Sequence, residues 1–152
     1  MYKAAVRHLI RRNLRALNAG DLGPVLAMFT DDAELRFPGD NSWASQFRST
    51  DLGEATHRGR DEIEAFLRAY VATGMQMDVD DILVNGPPWR ARAAVRVHHD
   101  ATDGDGAVVY RNRAVLFVET RWGKVRVQED YEDTQRVAAF DLVSPVPAVR
   151  SA

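Results

Sequence analysis

From Met75 to Thr134 the chain is a succession of alternating apolar and polar segments broken by short turn signals. No other feature constrains the fold as much. Met75–Val84 alternates as Met75, Met77 and Val79, then changes phase to Ile82 and Val84. A period of two describes a strand with one buried face, and a change of phase marks a bulge, here near Asp80–Asp81. Asn85-Gly86-Pro87-Pro88 is a turn. Trp89–His99 is expected as the next strand. Asp100 to Gly106 connects it to Ala107–Arg121, and Trp122–Gly123 turns the chain into Lys124–Thr134.

The residues before Met75 follow a different period. Val6, Leu9, Ile10, Leu14 and Leu17 recur at helical spacing, which predicts an amphipathic helix over residues 3–18. Gly20 stops it, and Asp21 is placed to cap a short second helix carrying Leu22, Val25, Leu26 and Phe29. Ala33, Leu35 and Phe37 alternate with Glu34 and Arg36, a first strand that ends at Pro38. Residues 39–58 show neither period, and a loop of that length in a compact domain is usually functional or disordered. Gly59 to Thr73 is a third helix with Ile63, Phe66, Leu67, Tyr70 and Val71 inward. Residues 135–143 make a last short helix, and 144–152 a frayed tail, so residues 1–143 form one domain. Helices followed by hairpin-linked strands give an α+β fold, with the helices on one face of a curved, mainly antiparallel sheet. A long bulged sheet curls, and helices lying across its concave side leave a blind pocket.

Composition narrows the function classes. A formal net charge of −2 over 152 residues gives no motive for nucleic acid or an anionic membrane as partner. The absence of cysteine removes disulfides, thiolate catalysis and cysteine-ligated zinc. No apolar run reaches the ~20 residues of a membrane span. The first residues lack a signal-peptide core, so a cytoplasmic location is expected. His98 and His99 are neighbours in one strand and face opposite sides, and no His-x-x-x-His pattern occurs. Neither a metal nor another cofactor is expected. Asp100, Asp103 and Asp105 miss the spacing of an EF-hand.

The last strand, VRVQEDYEDT from Val125 to Thr134, carries the chemistry. Acidic residues are poor strand formers, so a strand that keeps several has a wet or functional place for them. Strict alternation puts Val125, Val127 and Tyr131 on one face, and Arg126, Gln128, Asp130 and Glu132 on the other. If the second face lines the pocket, Asp130 is its acid/base group and Gln128 a ligand contact. A slip of one residue would substitute Glu129 and bring Tyr131 inward.

Three segments together resemble the SnoaL-like polyketide-cyclase group of the nuclear transport factor 2-like superfamily. They are LNAGDLGPVLAMFTDDAELRFPGD, HRGRDEIEAFL and YRNRAVLFVETRWGKVRVQEDYEDT. The superfamily also holds ketosteroid isomerases and limonene epoxide hydrolases. The resemblance implies a cone-shaped α+β barrel with an internal pocket, a small hydrophobic molecule as ligand and a homodimer. For the SnoaL-like cyclases it implies an acidic residue on the last strand as acid/base for an intramolecular aldol closure, a place that Asp130 matches. The ketosteroid isomerases use an aspartate near the end of the first long strand, and Asp40 lies close to that place. Their oxyanion tyrosine has no match on the first helix beyond Tyr2. The alternatives to a cyclase are an isomerase of that kind or a binding module that does no chemistry.

Further residues are placed by strand face. Tyr110, Asn112, Ala114, Leu116 and Val118 share one side, and a buried Asn112 needs a partner, a neighbouring strand or a ligand carbonyl. Val115 and Phe117 share the other side and would form the dimer surface. His99 shares a face with Val95 and Val97, which makes it the pocket histidine. Phe37, Trp43, His99, Tyr110, Asn112 and Gln128 are the expected substrate contacts. Trp43 in the long loop would either cover the pocket mouth or anchor the loop.

Overall fold

The computed structural model describes residues 1–38 and 55–143. In chain order they form α1 (Tyr2–Asn18), α2 (Leu22–Ala27), β1 (Phe29–Phe37), β2 (Ala55–Arg58), α3 (Gly59–Ala72) and β3 (Gln76–Asn85). A 3-10 turn (Pro88–Arg90), β4 (Arg92–Thr102), β5 (Val108–Arg121), β6 (Lys124–Glu132) and α4 (Thr134–Val143) complete them. The strands make one mixed sheet in the order β2-β1-β6-β5-β4-β3. Neighbours are antiparallel except β1 and β6, which run parallel. The sheet is curved and unclosed, with β2 and β3 at its edges.

The core lies between the concave face and α1, α2 and α3. Phe29, Ile63, Phe66 and Leu67 are all buried there, as the periodicities predict. The Asn-x-Gly-Asp corner locks the first helix to the sheet. Asn18 Nδ2 donates to the Met77 carbonyl and Asn18 Oδ1 accepts from the Met77 N–H, both at 2.9 Å. Gly20 adopts φ +74° so that the chain can turn out of the helix. The bulge expected in β3 is present, with the ladder to β4 shifting between Val79 and Asp81.

Several boundaries differ from the sequence reading. Phe29 opens β1 instead of closing the second helix, because Val125 N–H bonds the Met28 carbonyl at 2.7 Å and pulls the next residue into the parallel ladder. The final residues of the long loop, Ala55–Arg58, form edge strand β2. Trp89 and Arg90 are in the 3-10 turn and not in a strand. The cause is Gly86, at φ +86°, followed by two prolines that cannot donate to a ladder. On α1 the buried stripe runs through Asn13 and Leu17, while Leu9 is 40% exposed.

The phase of β6 also differs. The ladder between β5 and β6 shifts between Glu119 and Thr120, so strict alternation breaks after Val125. Val125 therefore points to the core on the same side as Gln128 and Asp130, and the two expected faces are not segregated.

Candidate active site

A cavity of about 70 Å³ sits between α1, α3 and the concave face of the sheet. Its walls are mostly apolar side chains, among them Phe29, Leu35, Phe37, Phe66, Leu67, Met75 and Leu116. The polar groups that reach it are Tyr70 from α3, His99 from β4, and Gln128, Asp130 and Glu132 from β6. The even-numbered residues of β6 reach the cavity because the bulge has already reset the phase of that strand.

Asp130 is buried, 8% exposed, and Gln128 Nε2 donates to its Oδ1 at 2.9 Å. Burial pushes the Asp130 carboxyl up to about 7, against the Gln128 bond, which favours the charged form. Its neighbours in sequence point away. Glu129 accepts from Arg36 Nη1 at 3.0 Å on the outer face, and Tyr131 is half exposed. The alternative register with Glu129 in the pocket is therefore not the one adopted.

The second polar pole is a pair. The Tyr70 hydroxyl and His99 Nδ1 lie 3.1 Å apart and both residues are buried. Burial pulls the His99 imidazole down to about 4, with the neighbouring His98 acting in the same direction. His99 is neutral at physiological pH. Burial, together with the negative charge of Asp130, raises the Tyr70 phenol, which stays un-ionised. His99 Nε2 is buried and has no hydrogen-bond partner among the described residues. The cavity thus holds a carboxyl that titrates near neutrality, a neutral imidazole and a phenol. That set can exchange a proton and stabilise a developing negative charge.

The other expected contacts divide. Phe37 lines the cavity and packs on Phe66 with ring centroids 4.8 Å apart. Tyr110 is buried away from the cavity, its ring 4.4 Å from Phe140 of α4. Asn112 is committed to backbone: Nδ2 donates to the Asp133 carbonyl at 3.0 Å and Oδ1 accepts from Arg113 N–H at 2.8 Å. Those bonds pin the end of β6 and the start of α4, and Asn112 is not among the lining residues. Asp40 and Trp43, with the rest of 39–54, lie outside the described residues, as does the tail 144–152.

One residue, a weaker candidate in the sequence reading, lies elsewhere than expected, and another escaped that reading. His57, expected in a loop, is buried on β2 with its ring 4.9 Å from Phe66 and 5.8 Å from Phe37, and burial lowers its pKa. Asn13 is buried in α1, and neither of its side-chain polar atoms has a hydrogen-bond partner among the described residues. Its position was legible: Ile10, Asn13, Leu14 and Leu17 occupy one helical stripe, but counting apolar residues alone passes over it.

Residues 10–128 match the model of a family described as the SnoaL-like domain. The chain belongs to that family. The match stops two residues short of Asp130, so it does not by itself assign that residue a role. Among solved structures, TerC co-crystallized with polyporic acid is 22% identical with TM-score 0.67, over 91% of this chain and 97% of TerC. A loop-truncation variant of IdmH is 20% identical with TM-score 0.68, over 88% of this chain and 97% of that one. A protein of unknown function from Burkholderia pseudomallei, called NTF2-like, is 22% identical with TM-score 0.64, over 92% and 97%. Likenesses at this identity establish the shared fold. No curated protein matches the sequence. Members of one fold differ in chemistry, so function has to be argued from the site. Among the described residues no helix is long and apolar enough to cross a membrane. No three His, Asp or Glu side chains among them are grouped as metal ligands would be.

Proposed function

We propose that this chain is an acid/base enzyme that acts on a small hydrophobic carbonyl compound, with Asp130 as the proton-transfer group. The observation that carries the proposal is a carboxyl enclosed by apolar walls, held by one amide and titrating at about 7. A general base works best with a pKa near the operating pH. The Asp130 carboxylate takes a proton from the carbon beside the substrate carbonyl. The resulting enolate attacks a second carbonyl carbon of the same molecule, a carbon–carbon bond forms, and Asp130 returns the proton to the new alkoxide. No redox partner is needed and atoms balance as an isomerisation. In this reading the Tyr70 hydroxyl donates to His99 Nδ1, the imidazole proton sits on Nε2, and the neutral ring donates to the enolate oxygen. Phe37 and Gln128 hold the substrate beside it.

The size of the cavity selects within this class. About 70 Å³ suits a short chain or part of a ring, whereas a polycyclic ligand needs several times that room. The geometry favours the smaller substrates. A cytoplasmic homodimer belongs to the same reading. Val115, 38% exposed, and the half-buried Phe117 on the outer face offer the apolar surface for it. A monomer in light scattering at micromolar concentration would remove that part.

The chemical step is tested without knowing the natural substrate. Acetophenone in heavy water should exchange its α-hydrogens for deuterium in the presence of the protein. Asp130→Asn should slow the exchange ~10²–10⁴-fold. Exchange unaffected by Asp130→Asn would overturn the assignment. Binding of the ketone with no exchange at all would favour the non-catalytic binding module.

A further inference from the structure

Beside the cavity that holds Asp130 lies a second one of about 60 Å³, between α1, α2 and the floor of β4, β5 and β6. The two share Leu14, Val25, Phe29, Leu116 and Gln128 as walls. Of the residues lining the second cavity, nine are aliphatic, methionine or phenylalanine, and two are polar: Asn13 and Gln128. Asn13 is 4% exposed, and among the described residues neither its buried Nδ2 nor its buried Oδ1 has a hydrogen-bond partner. Leaving a buried donor or acceptor unpaired destabilises the fold, and here one amide leaves both kinds unpaired. A leucine would fill the same place on the stripe without that cost. The Gln128 amide stands between the two rooms and spends one N–H on Asp130. Its oxygen and its second N–H have no partner among the described residues.

We propose that the second cavity is the far end of the substrate site, and that Asn13 with Gln128 binds a hydroxyl or carbonyl on the substrate end remote from Asp130. The inference rests on the reading of Asp130 as the reacting group and adds the second polar end that the substrate must carry. Three observations support it. The two rooms have five lining residues in common, so only those side chains stand between them. Together they approach the size of an engineered cavity that takes a single aromatic ring. Asp130 lines only the first room and Asn13 only the second, with the Gln128 amide and four apolar side chains common to both, which matches a ring or short chain oxygenated at both ends. Asn13 offers both a donor and an acceptor, so a hydroxyl can satisfy both of its atoms at once. Gln128 then links the two ends. Its amide contacts the substrate's remote oxygen on one side and holds the reacting carboxyl on the other. An unpaired buried amide also gives discrimination, because a ligand lacking the remote oxygen leaves Asn13 unsatisfied while the full ligand does not.

A matched pair of probes tests this: 4-hydroxyacetophenone, with oxygen at both ends, against acetophenone, with only the ketone. Binding is followed by calorimetry or ligand-observed NMR at pH 6. The wild type should bind the hydroxylated compound about tenfold more tightly, the scale of one good hydrogen bond to a previously unpaired group. In Asn13→Leu that preference should vanish, so that the two probes bind with equal affinity. Asn13→Leu should also be more stable than wild type without ligand, since the unpaired amide is gone. Asn13→Ala serves as a second variant, which removes the amide without adding bulk. Equal binding of the two probes to the wild type would overturn the inference and leave the Asp130 reading standing. A preference for the hydroxyl that survives both Asn13 variants would overturn it as well. Binding of neither probe would sink the pocket reading and this inference with it. A high-resolution structure that shows a fixed water on Asn13, undisplaced by 4-hydroxyacetophenone, would reduce Asn13 to a structural residue.

Discussion

Replacing Asp130 by asparagine should make this protein more stable, and increasingly so as the pH rises. The folded carboxyl titrates at about 7 against 3.8 for the free side chain. Between those values the folded state holds a proton that the unfolded chain has released, so stability falls with rising pH across that window. A difference of about 3 pH units at 1.36 kcal/mol each is on the order of 4 kcal/mol above pH 7. Asparagine keeps the shape and an oxygen that accepts from Gln128, and it never ionises. Below pH 4 both versions are neutral there and should be equally stable. At pH 8 the variant should gain a large part of the 4 kcal/mol, roughly 10 °C in Tm for a chain of this size. Denaturant titrations at pH 4, 6 and 8, with unchanged m-values, measure this directly. A variant that is less stable at pH 8, or a gain that does not grow with pH, would refute the buried-carboxyl argument. So would an NMR titration placing Asp130 at or below ~3.9.

Other outcomes follow from local geometry. Trp122 adopts φ +52° ahead of Gly123 at φ +79°, the two left-handed positions of a tight hairpin turn, and is 76% exposed. Trp122→Asn should raise stability by about 0.5–1 kcal/mol in thermal melts, because asparagine tolerates that conformation and little packing is lost. Gly86→Ala should cost about 2 kcal/mol or more, since the new Cβ would lie 2.6 Å from the Arg90 carbonyl at a φ of +86°. Asn18→Ala should lose about 2 kcal/mol by removing both bonds to the Met77 backbone, seen as a lower denaturant midpoint.

The architecture was legible because period and punctuation agree over most of the chain. The β3 bulge shows in the sequence as the step from Val79 to Ile82, and the buried face of α3 as Ile63, Phe66, Leu67 and Tyr70. Asp130 was legible because an acid in a strand calls for a reason. The phase of β6 was not, since its bulge is set by the pairing with Glu119 and Thr120 on another strand. Strict alternation placed Gln128 and Asp130 on one side correctly and Val125 on the wrong one. Asn112 illustrates a second limit. Its need for a partner was visible, but the partners, the Asp133 carbonyl and the Arg113 N–H, exist only once β5, β6 and α4 are assembled. Tyr110 shares its strand face with Ala114 and Leu116, yet α4 covers it with Phe140 before the cavity begins. Asn13 was hidden by the habit of reading a helix stripe from its apolar members.

The two poles of the cavity pull the stability of the wild type in opposite directions, which gives the site a pH signature of its own. His99 titrates at about 4 in the fold against 6.5 when free, so across that interval the unfolded chain binds a proton the fold refuses. Its contribution is present above pH 6.5 and is lost as the pH falls toward 4, by about 3 kcal/mol. Asp130 contributes in the reverse sense from about 4 to 7. Their slopes offset each other from pH 4 to 6.5, leaving a loss of about 1 kcal/mol as Asp130 finishes ionising near pH 7. The wild-type profile should therefore be nearly flat across the acidic range as far as these two groups decide it. Asp130→Asn removes one slope, so that variant should gain stability steeply from pH 4 to 6.5 and then level off. His99→Gln removes the other, so that variant should lose stability steadily from pH 4 to 7. Mirror-image profiles in the two variants would show that one apolar cavity desolvates both groups. Parallel profiles would mean that at least one of them is solvated, and a solvated Asp130 has no reason to titrate near the pH at which a general base works best.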